Sequence, residues 1–189
     1  VLAFLPGVGE ILRTTERLEG IAAAHGCALF PLYGDLSPEQ QDAALRPSAR
    51  RKIVLATNVA ETSVTVEGIS TVVDSGVART LRYDAGVGLD RLELSRISRA
   101  AADQRAGRAG RERPGLCLRL WPEWRHAALP DRELPEIARV DLAGSALRLL
   151  AWGERDLAAF DWLEAPDPAA LERALSLLDR LGAIERGSV

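Results

Sequence analysis

The sequence predicts an α/β protein, a parallel sheet with crossover helices followed by a smaller, mainly helical region. Short apolar runs alternate with amphipathic stretches through the first half. One hairpin pattern interrupts that rhythm near the middle, and leucine-rich segments at helical spacing take over from about Pro130. With 189 residues, 47% apolar and 27% charged, the chain can bury one core and an appendage, which excludes a disordered chain.

The candidate sheet strands are Val1–Leu5, Cys27–Leu32, Lys52–Ala56 and Thr71–Asp74. Between the first two, Gly7–His25 reads as a crossover helix, with Ile11, Leu18 and Ile21 spaced for one face. Ser37-Pro38-Glu39-Gln40 supplies a cap, a proline at the first helical position and a capping-box glutamine, so a second helix starts there. Thr80–Asp84 and Leu89–Ser95 alternate in strand fashion about Ala85-Gly86-Val87-Gly88, which predicts a β-hairpin standing off the sheet. An arginine-rich helix over Ala100–Ala109 and a last strand over Gly115–Trp121 follow.

The division between the two regions is placed at 128/129, giving domains 1–128 and 129–189. In the second, Asp141 or a neighbour caps a helix that ends before Gly153. Asp167-Pro168 opens another, whose Leu171, Leu175, Leu178 and Leu181 keep the 3.6 period up to Gly182. Ala183–Arg186 reads as a short strand; helices followed by a small strand suit a winged helix or a plain helical bundle.

Composition excludes several chemistries. Cys27 and Cys117 form no CxxC pair, and His25 and His126 have no nucleophile or acid at a telling spacing, so neither a metal site nor histidine catalysis is indicated. No run of about 18 apolar residues exists and the start lacks the basic flank of a signal peptide, so a cytoplasmic protein without membrane contact is expected. The net charge of −3 is unevenly spread: residues 79–125 hold eleven basic and six acidic groups, while both flanks are acidic. Of the 24 basic residues only Lys52 is lysine, a bias that genome composition explains as well as bidentate phosphate recognition does.

The sharpest signal is Gln104-Arg105-Ala106-Gly107-Arg108-Ala109-Gly110-Arg111. On a continuous helix Gln104, Arg108 and Arg111 lie at i, i+4 and i+7, so an amide and two guanidinium groups share a face while Arg105 points elsewhere. Like charges side by side cost energy unless an anion is expected. Gly107 and Gly110 weaken a helix by roughly 1 kcal/mol each but let another surface approach. A permanently charged planar fork suits the charge that develops on a transferring phosphoryl group. From spacing alone, a solvated basic helix touching nucleic-acid backbone is the commoner meaning of such a pattern.

Neighbouring segments change that balance. The octet resembles motif VI of superfamily 2 helicases, and Ala56-Thr57-Asn58-Val59-Ala60-Glu61-Thr62-Ser63-Val64-Thr65-Val66-Glu67-Gly68-Ile69 resembles motif V of the DEAH/RHA RNA-helicase branch. Phe4-Leu5-Pro6-Gly7-Val8-Gly9-Glu10-Ile11 is similar to that branch's motif IV, in a form most like bacterial HrpB-type helicases. Pro31-Leu32-Tyr33-Gly34-Asp35-Leu36 and Val72-Val73-Asp74-Ser75-Gly76 resemble further stations of its second RecA-like lobe, and the tail from Leu134 resembles the winged helix that follows. The resemblance spans nearly the whole chain.

It implies a RecA-like lobe in which Arg108 and Arg111 contact the terminal phosphates of ATP and Gln104 helps place the phosphate and the attacking water. Ser63 would couple motif V to that site, Gly107 would let the phosphates come close, and Glu67 would face the ribose, where many relatives carry aspartate. Thr57, Asn58 and Thr65 would meet RNA backbone, although strand-end capping explains Thr57 and Asn58 equally well from composition. Arg79, Arg82 and Arg91 on the hairpin would add backbone contacts; as isolated arginines they also read as solvated charges protecting a strand edge. No GxxxxGK(S/T) loop or DEAH box is present. In the resembled family both lie on a preceding lobe, which binds ATP with Mg2+. The chain is therefore expected to be part of a longer protein and inactive as an ATPase by itself. A binding or docking module without motor activity, or a lobe of a DNA helicase or translocase, remains as the alternative.

Overall fold

The computed structural model describes residues 1–62, 64–111 and 114–185. Five parallel strands form its main sheet: β1 (Leu2–Phe4), β2 (Cys27–Leu32), β3 (Arg51–Ala56), β4 (Thr71–Asp74) and β7 (Leu116–Arg119), in the order β2-β3-β1-β4-β7. The remaining pair, β5 (Val77–Asp84) and β6 (Leu89–Arg96), forms a separate two-stranded sheet. The α/β class expected from the sequence is the class observed.

The crossover helix α1 (Val8–Ala24) buries Ile11 fully, half-buries Leu18 and leaves Ile21 57% exposed. At about 100° per residue, Ala22 falls almost directly above Ile11 and Ile21 about 80° away, so alanine rather than isoleucine completes the core stripe. Helix α2 (Pro38–Leu45) carries the expected capping box, with Gln40 N donating to Ser37 Oγ and Ser37 N to Gln40 Oε1. Its other end is closed by the one lysine: Lys52 Nζ donates to the carbonyls of Ala44, Leu45 and Arg46. The sheet core is Leu2, Phe4, Leu32, Val54, Ala56 and Val72, with Ala44 and Ala60 packed on it.

The chain divides into two compact units, residues 1–79 with 94–133, and residues 80–93 with 134–189. The sequence placed one cut at 128/129 and had the hairpin standing off the sheet of the first region. Instead, the outer part of the hairpin is docked within the second unit. Tyr83 N donates to Arg139 O (2.6 Å), Arg139 Nη1 to Leu81 O (2.7 Å) and Asp141 N to Asp90 Oδ1 (2.8 Å), while the Arg173 guanidinium lies 5.7 Å from the Tyr83 ring centre. Those hydrogen bonds join residues about 50 apart in sequence, which no local pattern encodes.

That second unit is mainly helical. Its core joins Ala143 and Ala146 of α5 (Ala143–Trp152) to Leu171, Ala174 and Leu178 of α6 (Pro168–Arg180), with Leu142 and Leu157. Asp167 caps α6 as expected, its Oδ1 accepting from Ala169 N, whereas the cap position of α5 is Leu142, and Asp141 just before it accepts from Ala143 N. Gly153 and Gly182 end the helices with positive φ. Leu181 lies past the end of α6 and is 70% exposed. The expected strand at Ala183–Arg186 is not seen over Ala183–Glu185, which turn and half-bury Ile184 against the helical core; Arg186 lies outside the described residues. No described helix is long and apolar enough to cross a membrane.

Candidate functional site

The strand order reverses direction at β1, with β3 on one side and β4 on the other. In open parallel sheets, ligands meet the loops outside the carboxyl ends of the strands at such a reversal. Here those loops are Leu5–Gly7 after β1, Thr57–Ile69 after β3 and Ser75-Gly76 after β4. Gly7 lies under the Arg79 guanidinium: a Cβ there would stand 1.8 Å from Arg79 Nη1 and would displace that side chain from its 2.7 Å pair with Glu10 Oε2. Gly76 turns with φ 75°, and a Cβ on it would meet the Trp121 ring at 2.6 Å.

Helix α3 (Arg99–Gly107), capped by Ser98 Oγ accepting from Ala101 N, and the turn that follows it bring Arg105, Arg108 and Arg111 to these loops. It ends earlier than the spacing implied. Arg108, Ala109 and Gly110 each donate to a carbonyl three residues back, so the chain tightens after Gly107 and Arg111 is not on the helix. The single i, i+4, i+7 face is therefore replaced by three distinct environments.

Arg105 is 1% exposed. It donates through Nε to Glu61 Oε2 at 2.8 Å and through Nη1 to Asp74 Oδ1 at 2.9 Å, and it stacks 4.8 Å from the centre of the Phe4 ring. Asp74 is fully buried and also accepts from Gly76 N at 2.9 Å. Burial raises the Glu61 carboxyl above the usual carboxylate range, by more than the Arg105 hydrogen bond lowers it. This triad ties α3 to the ends of β3 and β4.

Arg108 is 7% exposed and has no carboxylate partner among the described residues; its Nη1 donates to Val64 O at 2.6 Å and its Nη2 to Glu61 O. Burial, and then the charge of nearby Arg111, push the Arg108 pKa down. Arg111 is exposed and donates to the Thr65 hydroxyl at 2.7 Å. Carbonyl and hydroxyl dipoles satisfy these hydrogens without neutralising the charge. Two guanidinium groups thus stand near one another with no carboxylate in direct contact with either among the described residues, although the Glu61 charge acts on Arg108 from nearby, on a loop at the sheet's carboxyl edge. Gln104 is exposed one helical turn before Arg108, and Gly107 between them has open space where a Cβ would be.

A family-level comparison fits this geometry: residues 4–113 match the model of the helicase conserved C-terminal domain. The chain belongs to that family. Over 98% of its length it is 46% identical to the ATP-dependent RNA helicase HrpB of Escherichia coli, and over 97% it is 42% identical to HrpA of the same organism. It spans only 23% and 14% of those proteins. The crystal structure of Escherichia coli DEAH/RHA helicase HrpB superimposes with a TM-score of 0.88 at 45% identity, covering 98% of this chain and 24% of that one.

The other expected residues of this helicase C-terminal domain fall in varied places. Thr57 N donates to Leu32 O and its side chain makes no cap hydrogen bond among the described residues, and exposed Asn58 begins a 3-10 turn, so both sit at the strand end. Glu67 is exposed, its backbone N–H on Leu45 O at 3.2 Å. Ser63 lies outside the described residues. Arg79 is drawn into the ion pair with Glu10, so it serves the loop after β1 rather than standing free. On the hairpin, Arg82 lies 3.8 Å from Glu93 and Arg91 3.1 Å from Asp84, half-exposed pairs that leave both cations within reach of solvent. The sequence reading missed Glu61, Asp74 and Arg105 as an ensemble; the signal available was that Arg105 alone pointed away from the basic face.

Proposed function

We propose that this chain is the arginine-bearing lobe of an ATP-dependent RNA helicase, as the names of its relatives suggest. The observation that carries the reading is the pair Arg108 and Arg111, charged and without a carboxylate partner among the described residues. The chemistry that such a pair supplies is stabilisation of charge on a transferring phosphoryl group, worth about 10³–10⁵ in rate where it has been measured.

In this reading a triphosphate and its Mg2+ are held by a second lobe, and closure brings the γ-phosphate to Arg108. A guanidinium has five N–H groups, and Arg108 uses hydrogens on only two nitrogens for Glu61 and Val64, so others remain for phosphate oxygens. Arg111 reaches the same phosphate from its exposed position, Gln104 orients the attacking water, and Ser63 and Glu67 complete the nucleotide contacts. Gly107 leaves room for the approach. The donor set fits an anion. The metal is assigned to the other lobe on the family resemblance, in which the loop and acidic box that hold it precede this region. Thr57, Asn58 and Thr65, with Arg82 and Arg91, contact RNA backbone, and the region expected at 129–189 is the winged-helix part.

In the full-length protein, Arg108→Ala should lower RNA-stimulated ATP turnover by about 10³-fold or more while changing RNA affinity little. Turnover near wild type would reject the finger role and leave a binding module. The isolated 189-residue chain should hydrolyse no ATP in a phosphate-release assay, because it supplies only half of the site.

A further inference from the structure

We infer that Glu61 is a positioning residue that sets where Arg108 is presented, by gripping Arg105 with its carboxylate and Arg108 with its own backbone carbonyl. The inference rests on the finger role proposed above for Arg108.

The connection runs atom by atom from the sheet outward. Asp74 at the end of β4 is 0% exposed and anchored by Gly76 N. It holds Arg105 Nη1, while Phe4 at the end of β1, paired in register with Asp74, lies against the Arg105 guanidinium. Arg105 Nε then holds Glu61 Oε2. Once the carboxylate is held, the Glu61 peptide is oriented too, and its carbonyl is the acceptor for Arg108 Nη2. The second acceptor, Val64 O, lies three residues further along the same loop. Moving the Glu61 peptide therefore moves the cradle of Arg108, although the Glu61 carboxylate is hydrogen-bonded to Arg105 and not to Arg108.

Charge balance supports a dedicated role. Arg105 is shared between two carboxylates, Glu61 and Asp74, while the buried Arg108 beside them has no carboxylate in hydrogen-bond contact among the described residues. Removing the Glu61 charge while keeping an acceptor for Arg105 Nε would leave Arg105 Nη1 on Asp74 and Val77 O, so the fold can survive the change while the cradle loosens. A site off by about 1 Å can cost about 100-fold in rate without weakening ground-state binding.

The test is Glu61→Gln in the full-length protein, alone and in an Arg108→Lys background, reading RNA-stimulated ATP turnover well below the melting temperature. Glu61→Gln keeps an acceptor for Arg105 Nε but not its charge. Arg108→Lys retains a measurable rate while being unable to bridge the two carbonyls in the same way. Expected from Glu61→Gln are a fall in kcat of about tenfold or more with an ATP KM within about twofold, and unchanged RNA affinity. Added to Arg108→Lys, the same substitution should cause no further loss. Wild-type kcat in Glu61→Gln, or losses that multiply in the double variant, would overturn the inference. If Glu61→Gln prevents folding, Glu61→Asp, which keeps the charge but withdraws it from Arg105, carries the same expectations. An Arg108→Ala protein that still turns over would instead sink the finger reading itself, whatever Glu61 does.

Discussion

The arginines at the end of α3 and those on the hairpin are the same residue type in the same basic stretch, yet they meet opposite physics. Arg105 and Arg108 are out of water, held by a fully buried aspartate, a largely buried glutamate and two loop carbonyls. Arg82 and Arg91 are half-exposed on the hairpin and pair with Glu93 and Asp84 within reach of solvent. In the first place each hydrogen bond fixes geometry, because a misplaced charge there has no water to fall back on. In the second, the charges stay available because nothing holds them firmly.

The contrast can be broken most severely at Arg105. Arg105→Ala leaves Asp74 buried without its cation and should cost about 3–5 kcal/mol of stability, read by urea unfolding of this chain. A loss under about 1 kcal/mol would mean that the triad does not hold the loops together. The hairpin should respond far less: Arg82→Ala with Arg91→Ala is expected to change stability by no more than about 1 kcal/mol per pair. If these two arginines contact RNA backbone in the full-length protein, the pair of substitutions should instead flatten the dependence of RNA affinity on salt by nearly two charges.

The smallest effect expected is one of pH. Burial raises the Glu61 carboxyl in the folded state, with the charges of Glu133 and Asp74 adding to it and Arg105 opposing. The folded chain then binds that proton more tightly than the unfolded chain does, so this group's contribution to stability is present at acid pH. It is lost as pH rises from the ordinary glutamate value of about 4.3 through the raised one. Glu61→Gln removes this contribution, so the melting temperature of the variant relative to wild type should improve from about pH 4 to about pH 7. A difference that is flat or reversed would show that Arg105 outweighs burial at this carboxylate.

Much of this was legible in the chain. The strands Cys27–Leu32 and Thr71–Asp74, the capping box at Ser37 and the stops at Gly153 and Gly182 depend on residues a few positions apart, and they appear where the pattern put them. The basic octet was legible as a place, but not as a geometry. Its idealised helix face assumed that the helix continues, whereas the turn tightens after Gly107 and sends Arg108 and Arg111 to different partners.

What the sequence determined alone was local: periodicity, caps, turn residues and the concentration of arginine between residues 79 and 125, all set by neighbours within about one helical turn. Only the tertiary structure decided which arginine is neutralised and which keeps its charge. Asp74 and Glu61 lie 31 and 44 residues from Arg105 and reach it through the parallel sheet, and the docking of the hairpin likewise depends on partners about 50 residues away. Burial and counter-charge are properties of assembled surroundings, so a cation's role is settled when the strand ends are brought together and not before.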